Sequence, residues 1–140
     1  MVREAASAKV EPLLQRDPEV ALWWGAPIEC AGALMGAQRR ERVSHADVQK
    51  ARTLIDHLRT RAVEVQPTEA VRARALRILS VHNLRAASAL ELAAALIWCQ
   101  ERTHGASLVS LDEPLRLAAA LEGFRVLPYA DEVHEPEPDL

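Results

Sequence analysis

The chain has 140 residues, which is enough for one hydrophobic core and too few for two domains of ordinary size. Its net charge of −3 argues against a protein that traps nucleic acid through overall positive charge. Cys30 and Cys99 show no CxxC spacing, which predicts reduced thiols rather than a disulfide framework. No apolar run reaches the 18 or more residues of a membrane span, and the N-terminus lacks the apolar core of a signal peptide. We therefore expect a cytoplasmic protein that does not enter the membrane.

The sequence pattern up to about residue 61 predicts a helix, a short strand and then two more helices. Helical spacing of apolar residues predicts a surface helix from Glu4 to Leu14. The apolar run from Glu19 to Trp24 predicts a strand, and Pro27 is favoured at the first position of the helix that follows. Ser44 and Asp47 have the spacing of a capping box, with Asp in place of Glu or Gln, and predict the start of another helix.

The middle of the chain predicts a second strand followed by two helices. The weak alternation from Ala62 to Gln66, bounded by a proline, indicates the strand. Thr68 is then placed to cap a helix. The inward face of that helix is predicted to carry Val71, Ala75, Ile78 and Leu79. From Ala86 to Gln100 the residues are mostly Ala and Leu with almost no polar face, which predicts a central helix buried on most sides.

The last part predicts a strand, a capped helix and a final strand. Ser107 to Leu111 forms the first strand, Asp112 caps the helix up to Leu121, and Phe124 to Leu127 forms the second strand. Because helices alternate with strands, we expect an α/β fold with a parallel sheet and helices on both faces. Residues 130–140 are acidic, rich in proline and nearly free of large apolar groups, so we expect a disordered tail after a single domain of residues 1–129.

Two acidic residues follow predicted strands and are candidate ligands of a cation. Asp112 comes at a strand's carboxyl end, where open α/β sheets bind ligands. Mg²⁺ takes oxygen ligands and is commonly held by one or two carboxylates. The alternative is a helix cap, which contributes about 1 kcal/mol. Glu29, in the first turn of the helix after Trp24, has the alternative role of complementing the helix dipole.

The segment from Leu84 to Pro128 resembles the second half of a PIN domain, as found in VapC-type toxins of bacterial toxin-antitoxin pairs. The matching residues are His82, Leu84 to Ala87, Ala89 to Leu96, the strand ending at Leu111 and Asp112, and Glu122 to Phe124. Members of the family are compact α/β ribonucleases whose carboxylates hold Mg²⁺ or Mn²⁺ beside an RNA phosphate. The resemblance implies a three-layer domain with a mostly parallel sheet, and implies that Glu29 and Asp112 are the catalytic metal ligands.

The chain departs from the family pattern at two places. Ser88 stands where PIN toxins usually present an aspartate, and a hydroxyl does not supply the charge that binds a dication. Glu91, three residues later on the same helical face, is a replacement ligand. PIN domains usually begin with a strand that is central in the sheet and ends in an aspartate. Here the sequence opens with Met1 to Glu4, which resemble the segment just after that strand, and its aspartate has no counterpart. Three explanations fit: the natural chain is longer, the remaining strands close up, or a partner donates a strand.

The resemblance implies a metal-dependent endoribonuclease toxin of a type II toxin-antitoxin system. Its partners would be RNA and a cognate antitoxin, and it would form a homodimer. Because the acidic set is incomplete, weak binding of Mg²⁺ or Mn²⁺ is expected and the activity of this chain is in doubt. The alternative is a degenerate, catalytically inactive PIN domain that binds an antitoxin or dimerises. A third interpretation is an unrelated α/β domain with no catalytic role.

Overall fold

A computed structural model describes residues 19–129. These residues form a mixed α/β fold with five helices and four short strands. In chain order the elements are β1 (Ala21–Trp23), α1 (Ala26–Arg39), α2 (His45–Arg61), β2 (Val63–Val65), α3 (Glu69–Val81), α4 (Ala86–Trp98), β3 (Ser107–Val109), α5 (Glu113–Leu121) and β4 (Arg125–Leu127). None of the five helices is long and apolar enough to cross a membrane. The helix predicted from Glu4 to Leu14 and the tail predicted for residues 130–140 lie outside the described residues.

The strands pair in parallel, as the alternation of helices and strands predicts. Ala21 of β1 is in register with Val63 of β2. Ser107 of β3 is in register with Arg125 of β4. The four strands form two sheets of two strands each, rather than the single sheet expected from the sequence. The described strands have therefore not closed up into one sheet.

The two sheets belong to one core, which is organised around α4. Ala89, Leu92 and Ala93 on this helix have no exposed surface, so the prediction of a central buried helix is confirmed. Trp23 of β1 and Leu108 of β3 belong to the same buried cluster. The two sheets are thus joined by side chains that pack into the same core as α4, and not by pairing of a strand from one sheet with a strand from the other.

Helix α3 packs against α4 through a narrower stripe than the sequence predicts. Val71, Ala75 and Ile78 are buried, with an exposed fraction of 6% or less. Leu79, predicted to face inward with them, is 41% exposed. The three buried residues follow one another at spacings of four and three, whereas Leu79 lies one residue further round the helix, at the edge of that stripe.

Three helices begin at the side-chain caps that the sequence predicts. Ser44 and Asp47 form a reciprocal capping box at α2, with both hydrogen bonds 3.1 Å long. The Thr68 hydroxyl accepts from the Val71 backbone N–H at 3.4 Å and begins α3. Asp112 Oδ2 accepts from the Leu115 backbone N–H at 3.2 Å and begins α5. Each cap satisfies a backbone donor that the helix itself leaves unpaired.

Candidate functional site

Three acidic residues from distant parts of the chain lie near the starts of three helices. Glu29 is in the first turn of α1, directly after β1. Glu91 is in the second turn of α4. Asp112 is the N-cap of α5, after β3. The N-terminal end of a helix carries partial positive charge, which favours the two acids at the cap or in the first turn, Asp112 and Glu29.

Glu91 interacts with both of the acidic residues that follow strands, Glu29 and Asp112. Its carboxyl group is hydrogen bonded to Glu29, and the charge of Asp112 acts on it. Burial raises the pKa of Glu91 to about 8, and the contact with Glu29 and the charges of Glu29 and Asp112 add to this effect. Glu91 therefore keeps its proton at neutral pH and donates it in a hydrogen bond to Glu29. We call Glu29, Glu91 and Asp112 the acidic cluster.

The carboxylate of Asp112 accepts two hydrogen bonds through one oxygen. Oδ2 accepts from the Leu115 backbone N–H, and also from the hydroxyl of Ser88 at 3.3 Å. The capping role that the sequence offered as an alternative is therefore present. It is compatible with a ligand role, because the two oxygens of a carboxylate offer about four lone-pair sites.

Ser88 lies beside Asp112, in the first turn of α4. It brings a neutral hydroxyl to the cluster at the position where the resemblance implies an aspartate. Its neighbour on the next turn, Glu91, supplies the third carboxyl group instead. The cluster thus holds three carboxyl groups, one of which is uncharged at neutral pH.

Cys30 is a fourth ionisable group, close enough to the acidic cluster for Glu91 and Glu29 to act on it. The sequence did not indicate that it belongs to the site. Burial raises the pKa of its thiol, and the charges of Glu91 and Glu29 raise it further. The signal in the sequence was its position directly after Glu29. A raised pKa keeps the sulfur protonated and unreactive at neutral pH. Both Cys30 and Cys99 are free and partly buried, as reduced thiols are expected to be.

Arg116 is a further residue near Asp112 that the sequence did not indicate. It lies in α5, within a run of Leu and Ala, and only 9% of its surface is exposed. Arginine is mostly exposed in proteins, so neither composition nor spacing predicted its burial.

The donor set of the acidic cluster suits a hard cation. Carboxylate oxygens are the ligands that Mg²⁺ and Mn²⁺ prefer. Within residues 19–129 no group of three or more His, Cys, Asp or Glu side chains is already arranged to hold a metal ion. With a pKa of about 8, Glu91 is mostly protonated at neutral pH, in contact with Glu29. A cation that takes Glu91 as a charged ligand has to displace its proton.

Comparisons of the chain with protein-family models, with curated proteins and with solved structures each found no match. The function is therefore inferred from the acidic cluster and its surroundings.

Proposed function

We propose that this protein is a metal-dependent endoribonuclease of the PIN type, similar to VapC toxins. The observation that supports the proposal is the contact of Glu91 with Glu29 and the action of the Asp112 charge on the same carboxyl group. Three acids that are far apart in the sequence meet only if the fold brings them together. Repulsion between like charges makes such a group costly, so it is typical of functional sites.

Glu29 and Asp112 are the proposed metal ligands, and Glu91 is the third. Mg²⁺ or Mn²⁺, when bound, supplies an activated water and neutralises charge that grows on the scissile phosphate. Glu91 contributes a charged ligand only after its proton leaves. Ser88 orients Asp112 through its hydroxyl group, which donates to Oδ2.

Competition between the proton and the cation is expected to weaken metal binding at neutral pH, in addition to the incomplete acidic set. At pH 7 a metal ion has to remove the proton from Glu91, whose pKa is about 8. At pH 9 this carboxyl group is already charged. We therefore expect Mn²⁺ to bind several-fold more tightly at pH 9 than at pH 7, and to release up to one proton when it binds at pH 7.

Calorimetric titration with Mn²⁺ and cleavage of labelled RNA test the proposal. Glu29→Gln and Asp112→Asn should each abolish metal binding and cleavage. Asparagine is as good an N-cap as aspartate, so Asp112→Asn removes the charge and keeps the start of α5. Glu69→Gln is the matched control, because Glu69 is an exposed acid in the first turn of α3. Metal-dependent cleavage that survives both site variants contradicts the proposal.

A second candidate function is a degenerate PIN domain that binds a cognate antitoxin or forms a homodimer without nuclease activity. The neutral hydroxyl of Ser88 beside Asp112 favours it, because the resemblance implies an aspartate there and a hydroxyl supplies no charge to bind a dication. Ser88→Asp distinguishes the two functions. A nuclease weakened by the missing charge should cleave RNA faster with this substitution, whereas a binding module should gain no activity.

A further inference from the structure

Arg116 joins the carboxyl ends of β3 and β4. Its Nη1 donates to the carbonyl oxygen of Ser110 at 2.7 Å and to that of Leu127 at 3.2 Å. Its Nη2 donates to the carbonyl oxygen of Pro128 at 2.6 Å. Ser110 and Pro128 follow the two strands, and Leu127 ends β4. The carbonyl oxygen of Leu127 also accepts from the Ser110 backbone N–H at 3.1 Å. A buried guanidinium group is costly without such partners, and here each bond is assisted by its charge.

The same residue is tied to Asp112 through the backbone of α5. The backbone N–H of Arg116 donates to the carbonyl oxygen of Asp112 at 2.9 Å. Ser110, whose carbonyl group accepts from the guanidinium, also accepts from the Asp112 backbone N–H through its hydroxyl at 3.1 Å. Arg116 therefore contacts Asp112 through its own backbone N–H, and it holds Ser110, two residues before Asp112, through its side chain.

We infer that Arg116 is a positioning residue, whose guanidinium group fixes the strand ends and thereby the place where Asp112 presents its carboxylate. The inference deepens the proposed function and rests on it for its metal-binding part. Arg116 touches neither metal nor substrate in this scheme and acts through Ser110 and Asp112. Groups that orient metal ligands in this way change metal affinity by roughly 10 to 100-fold when they are removed.

Arg116→Met tests the inference, because methionine fills similar space with no donor. The first measurement is hydrogen exchange of the Leu115 backbone N–H, which Asp112 caps, relative to that of Val71, which Thr68 caps. We expect the exchange ratio of Leu115 to Val71 to rise several-fold as the cap weakens. We expect the Kd for Mn²⁺ at pH 9 to rise by at least about tenfold. Arg77→Met, at an exposed position in α3, is the control and should change neither quantity.

Arg116→Lys is the second variant and keeps the experiment decisive if methionine prevents folding. Lysine retains the charge but lacks the planar fork that reaches three carbonyl groups. We expect it to raise the Kd and the exchange ratio less than methionine does. If Arg116 only stabilised the domain as a whole, exchange at Leu115 and Val71 would rise together and their ratio would stay constant.

The outcomes separate the inference from the proposed function. A variant that lacks the guanidinium group yet keeps the exchange ratio and the Mn²⁺ affinity of the natural protein overturns the positioning role. Failure of the natural protein to bind Mn²⁺ overturns the proposed function instead. In that case the exchange ratio still decides whether Arg116 holds Asp112 in place.

Discussion

Replacing Glu91 by glutamine should remove a pH dependence from the stability of the metal-free protein. Burial and the contact with Glu29 raise the pKa of Glu91 to about 8, from an ordinary value of 4.5. Below pH 4.5 this group is protonated in both the folded and the unfolded chain. Between the two values the folded protein keeps the proton and the unfolded chain loses it, so stability falls as the pH rises through about 8.

The size of the effect follows from the difference between the two pKa values. At about 1.4 kcal/mol for each pH unit, the separation corresponds to at most about 5 kcal/mol between pH 4.5 and pH 8. Solvent access to the partly buried carboxyl group reduces this, and about 2 kcal/mol is a conservative expectation. Glutamine resembles the protonated acid and can still donate an N–H to Glu29. Glu91→Gln should therefore match the natural protein at pH 4.5 and exceed its stability by about 2 kcal/mol or more at pH 8.5.

Urea unfolding followed by tryptophan fluorescence, repeated from pH 4.5 to 9 without metal ions, measures this difference. Glu69→Gln is the control, because Glu69 is exposed and the Arg72 side chain with which it forms an ion pair is exposed as well. Its stability profile should run parallel to that of the natural protein. If the profile of Glu91→Gln also ran parallel to it over the whole range, Glu91 would not carry a proton in the folded state. The acidic cluster would then hold no protonated carboxyl group at neutral pH.

Three further predictions concern the fold and the cap. Asp112→Ala should lower the free energy of unfolding by about 1 kcal/mol relative to Asp112→Asn in the same urea assay, since only asparagine preserves the cap; equal stabilities would contradict the capping role. Gly123→Ala should cost at least about 1 to 2 kcal/mol, because Gly123 has a φ of +100° and its Cβ would lie 2.5 Å from Thr103 Oγ1; a thermal midpoint equal to that of the natural protein would refute this. Leu92→Ala, at a position with no exposed surface, should cost about 2 to 5 kcal/mol with the m-value retained, and a smaller loss would indicate a loosely packed core.

The starts of the helices were predictable because their signals are local. Ser44, Thr68 and Asp112 each cap a helix through a hydrogen bond to a residue three positions later. Such bonds depend on residue type and spacing, which the sequence displays directly. The central helix was predictable for a related reason, since a run of Ala and Leu without a polar face is stable only when it is buried.

The division of the strands into two sheets was not predictable in the same way. Parallel pairing follows from the helical connections between strands, and it is observed in both sheets. Which strands become neighbours depends on how α4 and the other helices fill the core between them. Each strand has only three residues, so its own sequence contains little information about its partner.

By itself, the sequence determined the α/β class, the helix caps and two acids that follow strands, Glu29 and Asp112. Only the tertiary structure decided that Glu91 contacts Glu29, that Asp112 is close enough to act on the same proton, and that Arg116 is buried against the strand ends. The physical reason is the range of the interactions. Caps and amphipathic faces involve residues within one or two helical turns, whereas a shared proton and a buried guanidinium group depend on groups that only the folded chain brings together.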